Sequence, residues 1–417
     1  MVTVLMVSHG THGDVWPMIH LGAGLRGRGH DVTLLTHAPY AEPVRAAGLG
    51  FVPIDTPDEY AAYLADARTI LLDRVGSPSP PDLLAHYRRT NLFGQLRLEI
   101  DTLRELAVPG RTVLVGRHTS GLSTLIVAEL DRLPVAWAAM TPAQHLLLPV
   151  TEHLHRTALA APIDQLRAEL GLAPVDDWAA WLGSADLQLG LWPRWFDAAG
   201  DPTADRVAKV GFLLDPGTDG GSDSEPDPDA GSGPVPPEVA EVLAGEVPPV
   251  LVAGSSGQML LHDFYAASVP AALDAGRTVL LVTPYRDLLP ATLPAGVHWF
   301  RWLPYRAVMP RVAAVVHHGG TGTIAQCLAA GVPQLVLAHS FDQPDTGARL
   351  RRLGVGEWLP STRWEPPRAA ALMRRLLDER GYRDRAARLR AAIDTTAADR
   401  AGRRIEALLT PAGVPAP

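Results

Sequence analysis

The apolar positions of this chain follow two spacings: short unbroken runs of strand length alternate with stretches whose apolar residues recur at helical intervals. The run at 2–8 is apolar at nearly every position, as in a strand covered on both faces of a parallel sheet. The turn Gly10-Thr11-His12-Gly13-Asp14 follows it. A helix is expected from near Pro17, a residue favoured in the first helical turn, to Arg28-Gly29, where glycine takes a left-handed cap. Residues 30–36 are the next run, so the opening is a βαβ unit with a right-handed crossover. The alternation continues to about residue 212, with strands expected at 112–115 and 134–138 around a helix at 121–130.

The rhythm breaks at 215–237, which is Gly, Pro, Ser and Asp with almost nothing to bury, the composition of a linker. It then restarts. Strands are expected at 250–253, 278–282, 312–316 and 334–338, with helices at 264–273 and 324–330 and an aromatic-rich run at 298–302. Residues 349–409 read as mostly helical, and their Arg-rich charge reads as a solvated face. Two similar α/β halves joined by a linker predict two Rossmann-like domains facing a cleft, one at 1–214 and one at 238–417. At 417 residues the chain exceeds the length at which single cores usually split.

Composition excludes several classes of function. A net charge of -8 argues against a nucleic-acid surface, which needs clustered Lys and Arg. One cysteine, Cys327, leaves no internal disulfide and reads as a small buried helical residue. No run approaches the roughly 18 apolar residues of a membrane span. The N-terminus enters a strand without a basic signal-peptide start. The expectation is a soluble cytoplasmic protein, a monomer or homodimer. Asp227-Pro228-Asp229 has the form of an Asp-x-Asp metal motif, but it lies in proline-rich low-complexity sequence and reads as linker, so no bound metal is expected.

Two stretches carry candidate chemistry. In 317–343, HHGGTGTIAQCLAAGVPQLVLAHSFDQ, two histidines end a strand and a Gly/Thr turn opens a helix, a set of free backbone N–H groups that suits a phosphate. Asp14 lies just past strand one, where ligands of open α/β sheets gather. It reads either as a general base or as a first-turn acid of the next helix. His9 and His12 read as polar loop residues. Between them these stretches leave one aromatic group unassigned: Trp178, Trp181, Trp192 and Trp195, near His145, His153 and His155, either line a pocket for a ring-bearing ligand or pack as core. The small residues of Gly254-Ser255-Ser256-Gly257 let a ligand approach the backbone.

The order Trp302-x-Pro304, His318 sixteen positions after Trp302, Gly320, Thr323, Gly331-Val332-Pro333 and Asp342-Gln343 resembles the donor-binding box of family 1 glycosyltransferases. The double histidine with Gly-Gly-Thr-Gly-Thr, and the opening Gly10-Thr11-His12-Gly13-Asp14-Val15-Trp16-Pro17, resemble the bacterial branch acting on antibiotics, macrolides and sterols. The resemblance touches both halves. It implies the GT-B fold, with an N-terminal acceptor domain and a C-terminal donor domain, and an inverting, metal-independent transfer of a sugar to a small-molecule hydroxyl, without a cofactor. It further implies that His318 donates to the diphosphate, that Thr11, Ser255, Gly320, Thr321, Gly322 and Thr323 surround the phosphates, and that Trp302 stacks on the base while the Leu303 backbone pairs with its edge. Asp342 and Gln343 would contact sugar hydroxyls, and Asp14 falls at the position of the catalytic base. His118, Thr141, His145 and Trp178 are candidate acceptor contacts.

One departure bears on the donor. Many members carry a glutamate shortly after the position of Thr323 that accepts from both ribose hydroxyls, and here the nearest candidate is Gln326. A neutral amide serves a ribose 2′-hydroxyl less well, which favours a dTDP-deoxysugar over a UDP-sugar. The competing readings are a sugar-nucleotide epimerase or hydrolase on the same fold and a non-catalytic relative that activates a partner. A dehydrogenase is disfavoured, because no clean Gly-x-Gly-x-x-Gly with a later acidic residue occurs.

Overall fold

The computed structural model describes residues 1–74, 82–214, 234–254, 262–339 and 342–409. Ser255 and most of the expected linker lie outside the described residues. The chain divides into two compact units, one of Met1–Pro193, Thr203–Leu213 and Thr396–Pro417, the other of Arg194–Pro202 and Leu214–Thr395.

The first unit is built on seven parallel strands: β1 (Thr3–Val7), β2 (Asp31–Thr36), β3 (Gly50–Pro53), β4 (Thr112–Arg117), β5 (Val135–Ala139), β6 (Leu187–Gly190) and β7 (Val207–Lys209). Their order is β3-β2-β1-β4-β5-β6-β7. The unbroken apolar run of β1 follows from its central place, where both faces are covered. Val4 and Met6 pack with Val15, Met18 and Ile19 of the helix His12–Gly27. Leu5 and Val7 face the opposite core with Ile100, Leu103 and Trp137. The chain moves outward from β1 to β3 and returns on the other side as β4, so β1 and β4 flank a topological switch point, where ligands of open α/β sheets bind.

The second unit repeats the plan with six parallel strands: β8 (Val250–Ala253), β9 (Val279–Val282), β10 (Val297–Phe300), β11 (Ala314–His317), β12 (Gln334–Ala338) and β13 (Gly356–Pro360). The order β10-β9-β8-β11-β12-β13 puts its switch point between β8 and β11. Among the described residues no helix is long and apolar enough to cross a membrane, and no group of His, Cys, Asp and Glu is arranged to hold a metal ion.

Four expectations are corrected. The first helix starts at His12, because Thr11 takes the extended cap conformation six residues before the proline that marked the expected start. β13 lies in a segment read as helical, and its pairing with β12 buries Gly356 and Glu357 in a strand too short to outweigh the helical residues around it. The C-terminal helix Ala397–Glu406 belongs to the first unit. It buries Ala397, Ala401 and Ile405, and Glu406 takes a two-pronged ion pair from Arg28 at 2.6 and 2.8 Å and a third bond from His30 at 2.6 Å. Residues 194–202 belong to the second unit through Arg349, which is fully buried and donates to the carbonyls of Phe196 (3.1 Å), Asp197 and Asp201 (2.8 Å).

Candidate functional site

In the second unit the polar residues follow the switch-point strand. His317 ends β11 and is wholly buried. Its Nδ1 accepts from the Gly319 N–H at 3.0 Å, so Nε2 carries the proton and donates to Gln334 Oε1 at 3.0 Å. Burial pulls its pKa down to about 3, with His318 adding to the effect. His317 is thus a neutral spacer that sets the turn. Gly319 then takes φ +100°, a conformation that favours glycine, with Val336, Gln343 and Thr346 pressed against it.

That turn delivers the helix Thr321–Ala330, capped by Gly320. The N–H groups of Thr321, Gly322 and Thr323 are among the four that a helix leaves without intrahelical partners. Gly322 is exposed, with open space at its α-carbon. The His318 ring lies over Gly320, and a Cβ there would sit 2.5 Å from Nε2. His318 Nδ1 is buried and has no hydrogen-bond partner among the described residues. Burial, then the nearby His339, hold its pKa at about 4, so the ring is neutral near pH 7 and keeps one N–H to donate. The structure therefore brings together His318, Gly320, Thr321, Gly322 and Thr323. A second helix, Gln343–Arg352, starts beside the same turn: Thr346 Oγ1 donates to the Gly319 carbonyl at 3.0 Å, and Gln343 Oε1 accepts from the His339 N–H at 2.7 Å. Asp342 caps that helix and is half-buried. Trp302 is half-buried beyond the end of β10 at Phe300, while the Leu303 side chain is wholly in the core, which leaves only its backbone for a ligand. Cys327 is buried, as expected, and burial raises its thiol pKa.

In the first unit Asp14 is a first-turn acid of its helix. It is the third residue of its helix, and its Oδ2 accepts from the Thr11 N–H at 2.9 Å in a capping box. Its Oδ1 meets Arg117 Nη2 at 2.5 Å, with the Asp14 side chain 23% exposed. Gly10, at φ +124°, has no room for a Cβ because the Asp14 carboxylate occupies that space. Buried groups fix the Gly10 turn: its N–H donates to His37 Nε2 at 3.0 Å, His37 Nδ1 bonds Asp55 at 2.6 Å, and Tyr60 donates to the Gly10 carbonyl at 3.2 Å. Burial, more than the opposing Asp55, lowers the His37 pKa. His9 is held by the wholly buried Glu99 at 2.5 Å, which also accepts from Ser123. The sequence reading missed Arg117, Glu99, His37 and Asp55. For Arg117, its place at the end of a strand flanking the switch point was the available signal.

The acceptor candidates divide. His118 and His145 are close, their rings 4.4 Å apart, and Thr141 follows the end of β5. His118 Nδ1 and Thr141 Oγ1 are buried without a partner among the described residues. Burial and the neighbouring His145 push the His118 pKa well below its ordinary value. Trp178 is a correction: it is 3% exposed and packs against Trp181 in the core beneath β4 and β5, while Trp192 is buried elsewhere, with its ring 6.1 Å from that of His145.

Two parallel α/β units, each gathering polar side chains beyond the strand ends of its switch point, are the architecture of the GT-B enzymes. Residues 4–86 match the glycosyltransferase family 28 N-terminal domain, and residues 270–401 match the C-terminal domain of proteins like the erythromycin biosynthesis protein CIII. The chain is 28% identical to the O-mycaminosyltylonolide 6-deoxyallosyltransferase of Streptomyces fradiae over 94% of this chain and 93% of that protein. It is 24% identical to glycosyltransferase GtfE of Amycolatopsis orientalis, with 85% of each covered. Among solved structures, the glycosyltransferase of kitacinnamycin superposes with a TM-score of 0.72 at 22% identity, over 98% of this chain and 99% of that one. VinC in complex with DTDP gives 0.67 at 18% identity, with 98% of each covered. Together these matches support a family 1 natural-product glycosyltransferase on the GT-B fold.

Proposed function

We propose that the enzyme is an inverting, metal-independent O-glycosyltransferase that moves a deoxysugar from a dTDP-sugar to a hydroxyl of a small-molecule natural product. The observation that carries this reading is Asp14, a carboxylate with one fixed donor on each oxygen at the switch point of the first unit. In the reaction the bond from the sugar carbon to the diphosphate breaks through an oxocarbenium-like state, and negative charge grows on the leaving phosphate. His318 and the N–H groups of Thr321, Gly322 and Thr323 stabilise that charge, so the step needs no metal. Asp14 takes the acceptor proton as the acceptor oxygen attacks the face opposite the leaving group, and the anomeric centre inverts. General-base help of this kind is worth about 10²- to 10⁴-fold.

The dTDP donor is supported by Gln326, a half-buried amide on the phosphate helix in place of a carboxylate, and by the dTDP in the VinC complex. Trp302, the Leu303 backbone, Asp342 and Gln343 take the base and sugar contacts. His118, Thr141 and His145 are the acceptor contacts retained. The test is transfer from a dTDP-sugar to a panel of hydroxylated aglycones by wild type and Asp14→Asn. Near-complete loss in the variant, with an inverted anomeric configuration in the wild-type product, supports the reading. Transfer by Asp14→Asn within a few-fold of wild type would mean that another group is the base.

A further inference from the structure

We propose that Arg117 is a positioning residue for Asp14: its guanidinium fixes the carboxylate in the orientation from which it takes the acceptor proton. The inference rests on Asp14 being the base. Arg117 is the last residue of β4, and Val7 of β1 is in register with Gly116, so the two strands that flank the switch point deliver Asp14 and Arg117 to the same place. Nη2 reaches Asp14 Oδ1 at 2.5 Å and the Thr11 N–H reaches Oδ2 at 2.9 Å. With one donor on each oxygen the carboxyl plane cannot rotate, yet each ionised oxygen keeps a lone pair for a proton.

The chain beneath Arg117 is built to hold that side chain still. Gly116 has no room for a Cβ, which would meet Thr124 Oγ1 at 2.6 Å and Trp137 Nε1 at 2.7 Å. Gly121 is as tight against the Gly116 α-carbon, at 2.7 Å. Both the Ser120 and Gly121 N–H groups donate back to the Arg117 carbonyl, at 3.2 and 2.8 Å. Thr119 is left at φ +67°, a left-handed conformation that a β-branched residue rarely takes. Ser120 Oγ accepts from Nη1 at 3.3 Å, while Nε is buried without a partner among the described residues. An arginine kept only for a surface ion pair has no need of a strained, close-packed root or of an unsatisfied donor. Tyr63 lies near the pair as well: burial first, and then the Asp14 charge, raise its phenol pKa while Arg117 opposes. Among the described residues the guanidinium is the side-chain cation paired with this carboxylate, and its removal leaves the base anchored by the Thr11 N–H.

The experiment measures kcat and KM for Arg117→Ala, Arg117→Lys and Asp14→Asn, using the dTDP-sugar and the aglycone that the wild type turns over best, with and without added guanidinium chloride at a concentration that leaves the wild type active. A base displaced by a fraction of an ångström or more loses up to about 10²-fold in rate. The expected result is a fall of about that size in kcat for Arg117→Ala with both KM values little changed, partial recovery with guanidinium, and an intermediate rate for Arg117→Lys. Asp14→Asn is expected to be inactive with or without guanidinium. Wild-type kcat in a folded Arg117→Ala would overturn the proposal, as would a loss that guanidinium does not relieve and that tracks a lowered melting temperature in both arginine variants. An active Asp14→Asn would instead refute the identity of the base.

Discussion

Gly320→Ala separates the proposed phosphate site from the fold. Gly320 has φ −65° and ψ 138°, ordinary extended values open to alanine, so the backbone is not strained by the change. The added methyl lands 2.5 Å from His318 Nε2 and 3.1 Å from its Cε1. The far end of a side chain moves more cheaply than the backbone, so the imidazole swings away from the helix N-terminus. The effects on stability oppose each other. Alanine lowers the entropy of the unfolded chain, which is worth about 0.4–1 kcal/mol. It is also a poorer helix cap than glycine, at a cost of similar size. The melting temperature should therefore stay close to that of the wild type. Donor binding should not. A hydrogen bond to a charged group contributes about 1.5–3 kcal/mol, so displacing the His318 donor should weaken dTDP binding about 10- to 150-fold. Isothermal calorimetry with dTDP reads this directly. His318→Ala should give a similar loss, and the double variant no more than the larger single loss, because both changes remove one contact. An unchanged dTDP affinity in a folded Gly320→Ala would refute His318 as the phosphate donor.

Two further predictions concern stability. Arg349→Leu leaves the carbonyls of Phe196, Asp197 and Asp201 without their buried donor, and removal of one partner from such a site costs about 3–5 kcal/mol; urea unfolding should show that loss, and a change below about 1 kcal/mol would mean that the 194–202 segment is held by something else. Burial depresses the pKa of His155 to about 4, of His317 to about 3 and of His318 to about 4. Each therefore binds a proton more readily when unfolded. The sign follows: stability is full above the unfolded histidine range and falls as pH drops from about 6.5 towards 4, by about 1.4 kcal/mol per pH unit for each histidine. Denaturant midpoints should decline steadily from pH 7 to pH 5, and flat midpoints across that interval would show that these rings are not buried as neutral groups.

How much of this was legible in the sequence depends on which residues make a feature. β1, β8, β11 and β12 are buried on both faces, so their own residues declare them as apolar runs, and β8 and β12 fall at the expected residues. β13 does not declare itself. It holds Glu357, only 3% exposed, whose burial is made tolerable by Tyr382 (2.6 Å) and Arg375 (3.2 Å), residues of helices that follow it in the chain. The helix start was misplaced for a related reason: Pro17 is a local signal, but the cap at Thr11 depends on Asp14 three residues later.

The candidate site divides along the same line. The proposed phosphate turn is contiguous, and His318, Gly320, Thr321, Gly322 and Thr323 could be read as a group because one strand, one turn and one helix supply them all. Asp14 was ambiguous because its two readings describe the same geometry. A carboxylate that caps its own helix has one oxygen fixed by the backbone, and only a second donor from another strand distinguishes a poised base from a plain cap. That donor, Arg117, is 103 residues away by sequence number and becomes adjacent only because β4 returns beside β1. Trp178 shows the converse. Its sequence neighbours suggested a pocket, but Trp181 and the facing strands fill the space around it. Short-range pattern therefore picked out the proposed phosphate turn of the second unit, whose residues are contiguous. The orientation of the proposed base in the first unit comes from an ion pair between strands, and strand order had to be known before its second member, Arg117, could be named.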